Sequence, residues 1–224
     1  MDHKLWTEYF DGRAELCGDA ETANSYFNSA NFRFFKKHVL RLAGDLRGRA
    51  VLDSGCGTGH FTAGLAAENF LVGADISRGM LLLAGGKGLV SVQIGPGGLP
   101  FRDGSFDLVF SNSVIQCVED GRALIAELVR TARPGGRIII STANGENLAF
   151  STMRRIKGGV DRYLHVRSQT EVRSGLEACG ARVLSVVNMY FPFGLAKKQD
   201  GRKKPGIPAR RLATAFAVEA VKEA

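Results

Sequence analysis

The sequence predicts an α/β fold: a doubly wound, mostly parallel sheet with helices on both faces. Three observations carry this. Short runs of aliphatic and β-branched residues recur between Ala50 and Tyr190, separated by segments with helical patterning. Runs that are apolar throughout suit strands buried on both faces, which is the situation of a parallel sheet. The first run, Val51-Leu52-Asp53, ends in an acid and opens a loop, Ser54-Gly55-Cys56-Gly57-Thr58-Gly59, with glycine at every second position. The second run, Phe70–Asp75, also ends in an acid.

The elements follow in order. Before the first strand, Phe32, Phe34, Phe35, Val39, Leu40 and Leu42, with Tyr26 and Phe27 ahead of them, recur at roughly helical spacing around Lys36, Lys37 and Arg41. They predict one or two amphipathic helices in residues 1–45, a lid over a pocket or a layer packed on the sheet. Ala50–Asp53 is strand one and Phe61–Glu68 its helix, whose first N–H groups would face the glycine loop. Phe70–Asp75 is strand two. Ser77 caps a short helix around Met80–Ala84. Leu89–Ile94 is strand three, and Gly95-Pro96-Gly97-Gly98-Leu99-Pro100 is a loop by composition. Phe106–Phe110 is strand four. Asp120 caps a helix to about Ala132, Pro134-Gly135-Gly136 turns, and Arg137–Ser141 is strand five. Ser168-Gln169-Thr170-Glu171 opens a helix that runs through Cys179 and stops at Gly180. Arg182–Tyr190 is strand six. A basic linker then leads to an alanine-rich helix over Ala209–Ala224. Three units result: helices in 1–45, a ligand-binding α/β domain in 46–194, and the linker and last helix in 195–224.

Composition narrows the function. The 224 residues are 45% hydrophobic and 23% charged, an ordinary globular mix, with no apolar run long enough for a bilayer. The first residues lack a basic-then-apolar leader pattern, so a cytoplasmic location is expected. The four cysteines, Cys17, Cys56, Cys117 and Cys179, are scattered without metal-ligand spacing, and no metal site is expected. The net charge of +8 is concentrated: Lys197, Lys198, Arg202, Lys203, Lys204, Arg210 and Arg211 against Asp200 supply +6 of it. A solvated linker is the simpler reading, and an anionic partner such as RNA the alternative.

The two acids select the ligand. In a doubly wound sheet, ligands sit beyond the carboxyl ends of the strands, and an acid ending strand two can accept both hydroxyls of a ribose. That gives Asp75 an adenosine-type partner. Asp53, two residues before the first glycine, opposes a pyrophosphate but tolerates a cationic or zwitterionic ligand. S-adenosylmethionine, with an ammonium and a positive sulfur, fits.

Four blocks in order now identify a family: Val51-Leu52-Asp53-Ser54-Gly55-Cys56-Gly57-Thr58-Gly59; Val72-Gly73-Ala74-Asp75-Ile76-Ser77 with Met80; Leu99-Pro100-Phe101 followed by Asp103-Gly104-Ser105-Phe106-Asp107-Leu108-Val109; and Arg133-Pro134-Gly135-Gly136-Arg137. Over roughly residues 48–190 the chain resembles class I S-adenosylmethionine-dependent methyltransferases of the broad small-molecule type. The resemblance implies that Gly55 and Gly57, with Ser54 and Cys56 between and beside them, bring backbone against the methionyl and ribose parts. It implies that Gly59 lets the following helix pack close. Asp53 would approach the ammonium through water, Asp75 would hold the ribose, Ile76 would cover adenine, and Ser111 would line the methionyl end.

Three departures stand out. Gly95 and Pro96 occupy the places where relatives carry an aspartate for the adenine amino group and the next backbone N–H; proline has none, so either the loop realigns and Gly97 or Gly98 donates, or adenine is held more weakly. Gln116-Cys117 stands where many relatives have two histidines, which removes an imidazole base. After strand six, the linker and alanine-rich helix take the place of an antiparallel seventh strand, which predicts a replaced or displaced sheet edge. Asp161, Arg162, Tyr163, His165 and Arg167 lie where relatives place substrate contacts, with the arginines suited to an acidic group. No catalytic residue is singled out, because in-line transfer from a sulfonium gains much from positioning alone. The expected function is methyl transfer to a small-molecule acceptor. The alternatives are an RNA methyltransferase using the basic stretch and a non-catalytic relative with weakened cofactor binding.

Overall fold

Neighbouring residues of each central strand point to opposite faces, and here both are apolar. Val51, Leu108 and Ile139 join one buried cluster, while Leu52, Val109, Ile138 and Ile140 join another. A sheet that is apolar on both sides needs cover on both. The structure, a computed structural model, describes residues 3–24, 29–147, 152, 163–190, 195–200 and 211–224. It supplies that cover from helices before and between the strands.

Helices α1 (His3–Cys17) and α2 (Ser29–Ala43) precede β1 (Ala50–Ser54) and β2 (Phe70–Asp75). Then come α3 (Arg78–Gly85), β3 (Val90–Gln93), β4 (Phe106–Asn112), α4 (Gly121–Thr131), β5 (Ala132–Ala143), α5 (Gln169–Ala178) and β6 (Ala181–Tyr190). Strands β7 (Leu195–Asp200) and β8 (Ala215–Lys222) end the chain, and the eight strands lie in the order β3-β2-β1-β4-β5-β8-β6-β7. The first five are parallel; β8 is antiparallel to both neighbours, and β7 is antiparallel to β6. Helix α2 buries Phe32, Phe35, Val39 and Leu42 against one face. On the other face, Ile125, Leu128 and Val129 of α4 pack with Val172 and Leu176 of α5. Tyr26 and Phe27 lie outside the described residues. Among the described residues no helix is long and apolar enough to cross a membrane.

Local signals place most boundaries. The Ser77 hydroxyl accepts from Met80 N at 3.0 Å, and Asp120 Oδ1 accepts from Arg122 N and Ala123 N at 3.0 and 2.9 Å. Ser168 and Glu171 form a reciprocal capping box at the start of α5, and Gly180, at φ +79°, follows its end. The Pro134-Gly135-Gly136 turn is an irregularity inside β5, which resumes its ladder with β4 at Arg137.

Three expectations are corrected. Phe61–Glu68 holds only a one-turn 3-10 helix, Ala63–Leu65, not an α-helix. Its N–H groups reach back three residues, as in Leu65 N to Thr62 O and Ala66 N to Ala63 O, while the Thr62 side chain is drawn to Asp53 at 2.6 Å. The predicted helix over Ala209–Ala224 is in large part β8. Alanine favours helix by propensity, but between β5 and β6 the backbone finds hydrogen-bond partners on both sides. Phe216, Val218 and Ala220 enter one core cluster, and Ala215 and Ala217 the other, the two-residue period of a strand. Finally, the sheet keeps its antiparallel late strand, in an interior position. The start of the basic linker forms β7 at the edge, and residues 201–210 of the linker lie outside the described residues.

Candidate functional site

The site forms where β1 and β2 end. Gly55 N and Cys56 N both donate to Ala74 O of β2, at 2.7 and 3.1 Å, so the loop turns sharply across the neighbouring strand. Gly55 has φ +78°, and a Cβ there would lie 2.1 Å from Val114 Cγ2. Gly59, at φ +75°, sits against Ala84 and Leu89, where a Cβ would lie only 3.2 Å from each, so its bare backbone admits α3 closely. A Gly55→Ala chain should lose about 3 kcal/mol of stability from overpacking and a left-handed alanine. Urea midpoints check this, and adding Val114→Ala should restore only the steric part.

Two buried carboxylates face this loop. Asp75 Oδ2 accepts from Gly57 N at 2.8 Å and Oδ1 from Ser77 N at 2.9 Å, which ties the loop to the β2–α3 turn. Asp53 Oδ2 accepts from the Thr62 hydroxyl at 2.6 Å, while Oδ1 is buried without a partner. Burial pushes the Asp53 carboxyl up to about 7, against the Thr62 bond and with help from the Asp75 charge. Burial also raises Asp75, opposed by its backbone N–H bonds. The Cys56 and Cys117 thiols are free, and burial drives both up, Cys117 to about 12. Neither is a nucleophile at neutral pH.

A cavity of about 810 Å³ opens over these groups, within the range of small-molecule sites, about 300–1,000 Å³. Asp53, Ser54, Gly55, Cys56, Gly57, Asp75, Ile76, Gly95 and Pro96 all line it. Ser111 does not; it is buried in β4, and the residues after it, Asn112, Ser113 and Val114, form the wall. Ser113 has φ +59°, a strained conformation for a non-glycine residue at the tip of β4. The Gly95–Gly98 loop is held from α4: Glu127 Oε2 accepts from Leu99 N at 2.9 Å, and Arg130 donates to Leu99 O and Phe101 O at 2.9 and 2.7 Å.

The other candidates serve the scaffold. Gln116 Oε1 accepts from the Thr142 hydroxyl and Ala143 N, both at 3.0 Å, which pins it to β5. Arg167 donates to Val118 O and Glu119 O and so fixes the loop before α4. His165 N donates to Gln116 O at 2.6 Å, and neither His165 nor Tyr163 lines the cavity. Asp161 and Arg162 lie outside the described residues.

His3, Trp6 and Phe10 of α1 do line it, with Phe32 of α2. The sequence carries one signal for them, the i, i+3, i+7 spacing of His3, Trp6 and Phe10 on a single helix face. Helix α1 is latched beside the site. Asp11 Oδ1 accepts from the Ser77 hydroxyl at 2.5 Å and from Gly79 N at 3.0 Å, two and four residues beyond Asp75.

The methyltransferase-domain family matches residues 52–140, the span that contains both acids and the glycine loop. The chain carries a class I methyltransferase domain. The malonyl-[acyl-carrier protein] O-methyltransferase of Hahella chejuensis is 35% identical over 72% of this chain and 61% of its own. The demethylmenaquinone methyltransferase of Clavibacter sepedonicus is 33% identical over 56% of this chain and 54% of its own. The magnesium protoporphyrin IX methyltransferase of Synechocystis, solved with bound S-adenosylhomocysteine, superposes with a TM-score of 0.68 at 21% identity, covering 99% of this chain and 100% of that one. The chain spans between about a third and three fifths of the length of the curated relatives it matches.

Proposed function

We propose that the chain binds S-adenosylmethionine in this cavity and transfers its methyl group to a small-molecule acceptor. The observation that carries the reading is the pair of buried carboxylates at the tips of β1 and β2, facing a glycine loop whose shape leaves no room for a Cβ at Gly55. A dinucleotide would bring a pyrophosphate against Asp53; a ligand with an ammonium supplies the partner that Asp53 Oδ1 lacks.

When bound, the cofactor supplies a methyl group on a positive sulfur with a neutral leaving group. The chain's own residues hold and orient. Asp75, already fixed by two backbone N–H groups, takes the ribose hydroxyls, and Asp53 approaches the ammonium through water. Ile76 covers adenine, and Gly97 or Gly98 supplies the N–H that Pro96 lacks. Helix α1 forms the lid, and α2 packs on the sheet of the cofactor-binding domain, which runs from β1 through β8. Positioning supplies the rate, so no general base is assigned. Relatives named for malonyl-[acyl-carrier protein] and demethylmenaquinone support a small-molecule acceptor.

Calorimetric titration with S-adenosylmethionine tests the reading, and absence of binding at millimolar cofactor would refute it. Its pH dependence provides a second check. Asp53 titrates near 7 in the free protein, so below that pH it is neutral and offers no charge to the ammonium. On the acid side affinity should fall by up to about tenfold per unit below pH 7, in proportion to the ionised fraction of Asp53, and on the alkaline side it should fall again as the ligand's ammonium loses its proton. Asp53→Asn should bind weakly and lose the acid-side slope.

A further inference from the structure

One wall of the cavity is chemically unlike the rest, and it comes from α1. Trp6 is 3% exposed, stacks on Phe10 at 5.9 Å between ring centroids, and lines the cavity. Its indole Nε1 is buried without a hydrogen-bond partner. Three residues earlier, on the same helix face, His3 also lines the cavity, and its Nε2 is likewise buried and unpartnered. An indole N–H only donates, so its missing partner is an atom with a lone pair; an ammonium cannot serve. Leaving such a donor buried and unpaired is costly, and a ligand oxygen would recover that loss.

Charge narrows the partner further. Among the described residues lining the cavity there is no lysine or arginine; of its acids, Asp53 and Asp75 are assigned to the cofactor and Glu127 is paired with Arg130, which leaves Glu119 and Asp120 on the acceptor's side. A carboxylate or phosphate on the acceptor would meet like charge, with no lysine or arginine among the described lining residues to offset it. Arg167, suited by sequence to an acidic substrate group, is instead spent on Val118 O and Glu119 O. The aromatic rings of Trp6, Phe10, Phe32 and Phe61 leave an apolar surface beside the two unpartnered ring nitrogens.

We propose that the methyl acceptor is an uncharged, largely apolar molecule whose carbonyl or hydroxyl oxygen is hydrogen-bonded by Trp6 Nε1, with His3 Nε2 as the second polar contact. This rests on the cofactor reading above and adds the acceptor's chemical class to it. Trp6 and His3 are then specificity-determining residues, carried by a helix that Asp11 fastens to the turn after Asp75.

The test uses the full chain and begins with S-adenosylhomocysteine. Calorimetry at saturating S-adenosylhomocysteine then compares three probes of one shape: menthol, menthane carboxylate and menthylamine. Menthol should bind about tenfold tighter than the carboxylate, from charge repulsion, and should shift the emission of Trp6, the single tryptophan of the chain. Trp6→Phe should lose about fivefold in menthol affinity, the worth of one hydrogen bond. If S-adenosylhomocysteine does not bind, the cofactor reading falls and takes this proposal with it. If it binds but menthol is no tighter than the carboxylate or the amine, or leaves Trp6 emission unchanged, the proposal alone is overturned. The wild-type comparison stands even where Trp6→Phe fails to fold.

Discussion

Asp75→Ala is expected to weaken S-adenosylmethionine binding by about two orders of magnitude, since hydrogen bonds to a charged group contribute about 1.5–3 kcal/mol each. The loss has two parts. The carboxylate would accept the ribose hydroxyls directly, and it also holds Gly57 N and Ser77 N at 2.8 and 2.9 Å. Removing it leaves the glycine loop and the β2–α3 turn without their common anchor. Asp75→Asn separates these parts. An amide has only one oxygen, so its nitrogen must face one of the two backbone donors, and an intermediate loss is expected. Titration calorimetry with S-adenosylhomocysteine measures both variants, with thermal unfolding to show that they fold. An affinity for the alanine variant within threefold of wild type would remove the ribose assignment.

Glu219→Ala should produce the largest stability loss away from the cavity. Glu219 is buried on β8, where Oε1 accepts from Arg137 at 2.6 Å and Oε2 from the Ser185 hydroxyl at 2.6 Å. Arg137 in turn donates to Ala43 O at 2.7 Å and to Leu42 O, two of the unpaired carbonyls that end α2. One carboxylate therefore joins β5, β6, β8 and α2. Breaking a buried pair by removing one partner costs about 3–5 kcal/mol, because the remaining charge stays buried. Part of Arg137 reaches solvent, so about 3 kcal/mol is expected, a fall in Tm of roughly 10 °C for a chain of this size. Glu219→Gln should lose less. Glu68→Ala is the control: its pairing with Arg47 at 3.6 Å is exposed on both sides, and stability should change by less than about 0.5 kcal/mol.

The legible features have causes that lie close together in the chain. Ser77, Asp120 and Ser168 cap helices because a short side-chain oxygen reaches an N–H two or three residues ahead. The β2 boundaries, Phe70–Asp75, agree with the sequence reading because an unbroken apolar run between polar ends has one way to be buried in a parallel sheet. The two acids and the glycine loop were legible for the same reason: the strand tip, the turn and the ligand contacts fall within a few residues. His3, Trp6 and Phe10 were less so, since their helical spacing says that a face is buried but not what it faces.

Where distant segments compete, only the tertiary structure decided. The sequence by itself determined the parallel α/β core, its strand tips and the ligand chemistry proposed for them. It did not determine that Ala215–Lys222 is a strand, because alanine-rich sequence prefers helix until two partly unpaired strands offer it ladders on both edges. Nor did it determine that Phe61–Glu68 stays in turns while Thr62 reaches Asp53, or that Ser111 is buried while Asn112–Val114 face the cavity. In each case the local preference is worth less than about 1 kcal/mol per residue, and hydrogen bonds and burial supplied from far along the chain outweigh it.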